Sequence, residues 1–286
     1  MTDRPEVTSH AVQAGLKPLS GVKNIVAVAS GKGGVGKSTV AVNLALALRA
    51  EGMRVGILDA DIYGPSQPMM LGVGAETRPL VQDNKMVPIQ KHGLQTMSIG
   101  YLVDEETPMV WRGPMVSMAL QQMLNDTLWE DLDCLIVDLP PGTGDIQLTL
   151  AQKVPLTGAV IVTTPQDIAL LDARRAIEMF NKVRVPVLGV VENMSHHICS
   201  QCGHHEALFG AGGGERIAAQ YRTELLGQIP LQLAIREQVD AGLPSVVHHP
   251  ESDVSQAFRA IARKMMAKLS QQTKDYASKF PKITVV

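Results

Sequence analysis

Several features are missing from this 286-residue sequence, and each absence removes a class of protein. No apolar run approaches the roughly 18–20 residues that a membrane-spanning helix needs, so no span is expected. The first twenty residues contain Asp3 and Glu6 and lack an apolar core. That argues against a secretory signal or a typical transit peptide, and for a cytoplasmic protein. Neither sign of charge dominates: 26 Lys and Arg against 28 Asp and Glu give a formal net charge of −2, so there is no broad attraction for nucleic acid. Repeats and low-complexity tracts are absent, and cysteine is scarce, at three residues.

What is present is enough apolar material, 45% of residues, for one substantial core. Strand-like runs near 24–29, 54–59, 133–138, 158–163, 187–192 and 225–229 alternate with helical runs near 37–50, 113–125, 145–153, 167–182, 214–222 and 232–240, with a last helix near 252–270. This alternation predicts an α/β fold with a doubly wound, mostly parallel sheet. One globular unit is expected over 21–270, with loosely ordered ends at 1–20 and 271–286, short extended pieces inserted at 80–104, and a cysteine-bearing loop at 194–214.

Residues 31–39 read Gly-Lys-Gly-Gly-Val-Gly-Lys-Ser-Thr and satisfy the phosphate-loop pattern G-x-x-x-x-G-K-[ST]. Gly31, Gly33, Gly34 and Gly36 free the backbone so that successive N–H groups, including that of Val35, can face phosphate oxygens. The loop opens into a helix N-terminus, which also favours anions. Lys37 is expected to reach the β- and γ-phosphates of ATP, the Ser38 hydroxyl to ligate Mg²⁺, and Thr39 to lie by the α-phosphate. Lys32, directly after the first glycine, makes the motif resemble the deviant Walker A group, which includes ParA and MinD proteins, nitrogenase iron protein and the Mrp family. The resemblance implies that Lys32 crosses a homodimer interface to the partner's nucleotide.

Two apolar runs end in carboxylates, Arg54-Val-Gly-Ile-Leu-Asp59-Ala-Asp61 and Cys134-Leu-Ile-Val-Asp138. Carboxylates at strand ends hold the water shell of Mg²⁺ and orient an attacking water. By resemblance, Asp138 serves Mg²⁺ through water, Asp61 positions the nucleophile and Asp59 supports it. Leu139 to Asp145 is similar to the switch segment that senses the γ-phosphate, with helix capping as the ordinary alternative for Asp145.

Two of the cysteines form Cys199-Ser-Gln-Cys202, flanked by His196, His197, His204 and His205. One chain then supplies half of a four-thiolate shell, and a two-fold dimer would supply the rest. A Cys₂His₂ zinc site, a redox disulfide and a pair of inert thiols stay open beside a transiently held cluster. Cys134, inside a strand, reads as a small core residue.

Beyond the loop, Leu58-Asp-Ala-Asp-Ile-Tyr-Gly-Pro-Ser66, Trp111-Arg-Gly-Pro-Met115, Asp138-Leu-Pro-Pro-Gly-Thr-Gly-Asp145, Val191-Glu-Asn-Met-Ser195, Cys202-Gly-His and Asp240-Ala-Gly-Leu-Pro244 resemble the Mrp/ApbC family of iron-sulfur cluster carrier ATPases. That resemblance implies a bridging [4Fe-4S] cluster on Cys199 and Cys202 of two protomers, transfer to apoproteins, and adenine contacts at Asn193 and at the Ile229-Pro230 step. Longer members carry an extra N-terminal domain not seen here. The rival function is a ParA or MinD type positioning ATPase acting on DNA or membrane, for which the basic amphipathic run 254–269 would be an anchor. Such a protein has no use for the cysteine pair. A third reading makes the nucleotide site a slow conformational switch.

Overall fold

The computed structural model describes residues 5–103 and 113–275. β1 (Ile25–Ala29) and α1 (Lys37–Ala50) flank the glycine loop, and β2 (Val55–Asp59) follows. Next come α2 (Gln67–Met70), a ribbon of β3 (Val81–Gln82) and β4 (Lys85–Met86), β5 (Ile89–Lys91) and β6 (Leu94–Ser98). The middle of the chain holds α3 (Gly113–Asn125), β7 (Cys134–Asp138), α4 (Asp145–Lys153), β8 (Gly158–Thr163) and α5 (Asp167–Lys182). The last part holds β9 (Val187–Ile198), β10 (His205–Glu206), α6 (Gly213–Gln220), β11 (Leu225–Leu231), α7 (Leu233–Asp240), α8 (Ser245–His248) and α9 (Asp253–Ser270).

Nine strands form one sheet in the order β10-β9-β8-β1-β7-β2-β6-β5, with β11 also pairing with β9. Within this sheet, among the described residues, only the β5–β6 and β9–β10 pairs are antiparallel. The central strands are buried from end to end, as parallel strands covered on both faces must be. Their alternation divides the core in two. Ile25, Ala27 and Ala29 join the layer under α3 to α6, while Val26 and Val28 join the layer under α1 and α9. This is the doubly wound arrangement expected.

The amphipathic last helix, α9, is capped by Ser252, whose hydroxyl accepts from the Ser255 N–H at 3.3 Å. Its apolar face, including Phe258, Ile261 and Met265, is buried with α1 and β11. Among the described residues no helix is long and apolar enough to cross a membrane.

The structure departs from the sequence expectations in three places. β6 is a full member of the main sheet, parallel to β2, where only inserted extended pieces were expected. β9 continues to Ile198, six residues past the expected end, because β10 and β11 supply its ladder partners. Part of the expected loose N-terminal segment is tied down. His10 is buried, its Nδ1 lies 2.8 Å from Asn24 Oδ1, and the Ala11 N–H donates to the Thr273 carbonyl at 2.8 Å. Trp111 and Arg112 of the Trp111–Met115 motif, and residues 276–286 of the expected tail, lie outside the described residues.

Candidate functional site

Strand register assembles the acidic cluster. Asp59 at the end of β2 pairs with Asp138 at the end of β7, and Asp138 pairs on its other side with Val28 of β1, just before the glycine loop. The loop and both carboxylates therefore meet at the carboxyl edge of the sheet, where open α/β sheets bind ligands. Gly36 caps α1 at φ 78° with no side-chain hydrogen bond to the helix N-terminus, which leaves that terminus to an anion. A Cβ on Gly36 would lie 2.2 Å from Asn193 Nδ2, so glycine is required by conformation and by space. A Cβ on Gly31 would lie 2.1 Å from the backbone of Asp172 in α5.

Lys37 is buried and makes a short ion pair with Asp138, with Ser38 Oγ at 3.1 Å and Asp61 Oδ2 at 4.0 Å. Asp59 lies beneath. Its carboxylate accepts from the N–H groups of Asp61 at 3.2 Å, Ser66 at 3.1 Å and Gln67 at 3.1 Å, and from Ser98 Oγ at 3.1 Å. Burial, then the Asp138 charge beside it, push the Asp59 carboxyl up to about 7, against the Gln67 N–H, the Lys37 charge and the Asp61 N–H. Asp61 is raised as well, by burial first, against the attraction of Lys37. Asp61 and Asp138 stand beside Lys37 with Ser38 Oγ next to it, hard oxygen groups of the kind Mg²⁺ takes, while the Asp59 oxygens are occupied by their four protein donors.

The remaining expected residues lie around this cluster. The Asn193 amide, at the joint of β9, donates to the Val35 carbonyl at 2.9 Å. Pro230 follows Ile229, the β11 residue paired with Asn193. The Thr39 carbonyl accepts from Asn43 Nδ2 at 3.0 Å. Lys32 is half-buried, and its carbonyl accepts from Ser30 Oγ at 2.8 Å; among the described residues its ammonium forms no ion pair. Gly142 in the switch-like segment has φ 106°, and Asp145 is the first helical residue of α4 without a side-chain cap.

Sequence reasoning missed Gln67, Ser98 and Glu192. Gln67 Nε2 bridges Asp138 Oδ2 at 2.9 Å and the Ser38 carbonyl at 3.1 Å, so it joins the acidic ends to the loop. Its only sequence signal was its place one residue after the Leu58–Ser66 motif.

The cysteine pair lies apart from this cluster, at the turn between β9 and β10. The Cys199 N–H donates to the His204 carbonyl at 2.9 Å, and the Gly203 N–H to the Cys199 carbonyl at 2.9 Å. Cys199 is half-buried, Cys202 is exposed, and both are free thiols. The backbone N–H of Cys202, then that of Gln201, hold the Cys199 thiol below its ordinary value, whereas burial pushes Cys134 up to about 12. Among the described residues no three His, Cys, Asp or Glu side chains converge as a metal set. His196 instead stacks on His205 with ring centroids 5.0 Å apart, and His197 Nδ1 lies 3.3 Å from the Leu231 carbonyl.

A glycine loop between a buried strand and a helix, with acidic strand ends beside it, defines a P-loop NTPase. Over residues 21–266 the chain matches the model of the ParA family described as NUBPL iron-transfer P-loop NTPase, and it belongs to that family. It is 62% identical over 257 residues to a Pseudomonas fragi protein named iron-sulfur cluster carrier protein, covering 90% of each chain. A relative of the same name from Escherichia coli K12 is 62% identical over 89% of this chain and 69% of its own length. Among solved structures, a nucleotide-binding protein from Archaeoglobus fulgidus in complex with ADP superposes with a TM-score of 0.72 at 37% identity, covering 83% of this chain and 92% of that one. The Pyrococcus furiosus cell-division ATPase MinD shares the fold, with a TM-score of 0.63 at 23% identity over 85% of this chain and 98% of its own.

Proposed function

We propose that this protein is an ATP-binding and ATP-hydrolysing carrier that assembles a bridging [4Fe-4S] cluster between two copies of itself and delivers it to apoproteins. The observation that carries this reading is the Cys199–Cys202 turn: two accessible thiols on a hairpin tip, with no third ligand from the described residues of the same chain. Two thiolates complete a four-sulfur shell only when a second copy brings two more. The names of the 62%-identical relatives support the cargo assignment. A positioning ATPase is supported only by the shared fold of MinD, and the apolar face of α9 that would anchor it is buried in the core. The carrier works in the cytoplasm on a globular unit of 21–270, and its partners are cluster donors and recipients.

The chemistry of ATP follows from the cluster around Lys37. Lys37 neutralises Asp138. Lys37 is placed to meet the phosphate oxygens of a nucleotide in the loop; Ser38 and Asp138 would hold Mg²⁺, which would supply positive charge beside those phosphates. Asp61 orients the attacking water, Asp59 fixes the Asp61 backbone through its 3.2 Å bond, Asn193 and Pro230 hold adenine, and Lys32 reaches the partner's phosphates. Positioning and charge stabilisation of this kind are what phosphoryl transfer asks of a protein.

Anaerobic reconstitution with iron and sulfide tests the assignment. Wild type is expected to turn brown with charge-transfer absorption, and Cys199→Ala and Cys202→Ala to stay colourless while still binding ATP. A colourless wild type, or coloured single variants, would reject it.

A further inference from the structure

The strand that touches the P-loop is also the strand that leads into the cysteine turn. On the near side of the contact β9 is fixed to its frame: Glu192 is fully buried and accepts from the Gly214 N–H at 2.6 Å and from Gln228 Nε2 at 2.7 Å. At the contact, Asn193 Nδ2 donates to the Val35 carbonyl at 2.9 Å, and a Cβ on Gly36 would lie 3.7 Å from Met194 Cε. Met194 then adopts φ 53°, a left-handed conformation that disfavours any residue with a side chain. Pairing with β11 breaks at the same point. Asn193 pairs with Ile229 and the next partners are His197 and Leu231, so residues 194–196 stand opposite Pro230, which has no N–H to donate. Cys199 follows one residue beyond the end of β9.

We propose that Met194 is the joint, and Asn193 the contact, through which nucleotide on the P-loop repositions the Cys199–Cys202 hairpin. The inference rests on the functional reading above and adds its missing coupling. Phosphates drawn into the loop act on the backbone of Val35, whose carbonyl Asn193 holds, and of the neighbouring Gly36, beside which Asn193 and Met194 leave no free space for a side chain. Free and filled loops thus hold the joint differently, which is the differential interaction that a ligand-driven shift requires. Strained, side-chain-bearing residues of this sort persist where the surroundings over-determine them, and they cluster at switch regions. Met194 is a positioning residue, since it acts on the thiols through the strand.

The test uses the full cluster-free chain. MgADP binding is followed by calorimetry, and the alkylation rates of Cys199 and Cys202 by iodoacetamide are read separately by mass spectrometry, with buried Cys134 silent. Saturating MgADP is expected to change the rate of at least one of the pair several-fold. Met194→Gly lifts the left-handed penalty, worth roughly 5–30-fold in population, and is expected to shrink that response. By reciprocity MgADP binds this variant more weakly by no more than the same factor. Met194→Leu keeps the penalty and the response. Binding of MgADP without any change in thiol rates, or an undiminished response in Met194→Gly, overturns the joint and leaves the nucleotide site standing. Absence of MgADP binding overturns the functional reading itself, and the joint with it.

Discussion

The buried Asp59 carboxyl makes the stability of the nucleotide-free chain depend on pH in a specific direction. In the unfolded chain the group titrates near 3.8, and in the fold near 7. Below 3.8 both states are protonated and there is no difference. Between 3.8 and 7 the unfolded chain has lost the proton and the folded chain keeps it, so stability falls as pH rises, and above 7 the penalty is complete. At ~1.4 kcal/mol per pKa unit, the part of the loss between pH 5 and pH 8 is about 3 kcal/mol. Urea denaturation at several values across that range, on wild type and Asp59→Asn, reads the Asp59 proton together with its coupling to the neighbouring Asp138. The absolute stability of Asp59→Asn is unimportant, since it also exchanges an acceptor for a donor facing four donors. What counts is that the stability difference between the two proteins moves by about 3 kcal/mol in favour of the variant from pH 5 to pH 8. Curves that stay parallel within about 0.5 kcal/mol would refute the assignment of a proton-holding Asp59.

Other substitutions read other parts of the structure. Gly36→Ala places a Cβ at φ 78° and 2.2 Å from Asn193 Nδ2, so a stability loss of ~1–3 kcal/mol in urea melts and loss of ATP binding by calorimetry are expected. Lys32→Ala keeps ATP binding, because Lys37 remains, and lowers steady-state phosphate release; unchanged turnover removes Lys32 from the site. Phe258→Ala empties a fully buried position between α9 and the sheet and should cost roughly 3–5 kcal/mol, whereas an α9 released from the core would make the change nearly silent.

The parts of this protein legible in its sequence are those with local signatures. Buried parallel strands such as Ile25–Ala29 and Cys134–Asp138 are unbroken apolar runs, and the glycine loop has fixed spacing. Asp59 and Asp138 were legible as strand ends, and register then set them side by side. What stayed hidden depends on partners far away in the chain. Gln67 gains its place through Asp138, and Glu192 through Gly214 and Gln228. The second half of β9, Asn-Met-Ser-His-His, has no apolar alternation, and it is held at its two ends, Asn193 by β11 and His197 by β10 and β11. His10 is held by Asn24, a contact no local pattern announces.

The central claim is that two copies of this chain share one cargo through Cys199 and Cys202. Native mass spectrometry of the anaerobically reconstituted protein tests it most directly. The account predicts a two-chain species carrying about four irons and four sulfides, which dissociates into bare single chains when the cluster is removed by acid or chelator. A single chain carrying its metal fully coordinated would contradict it.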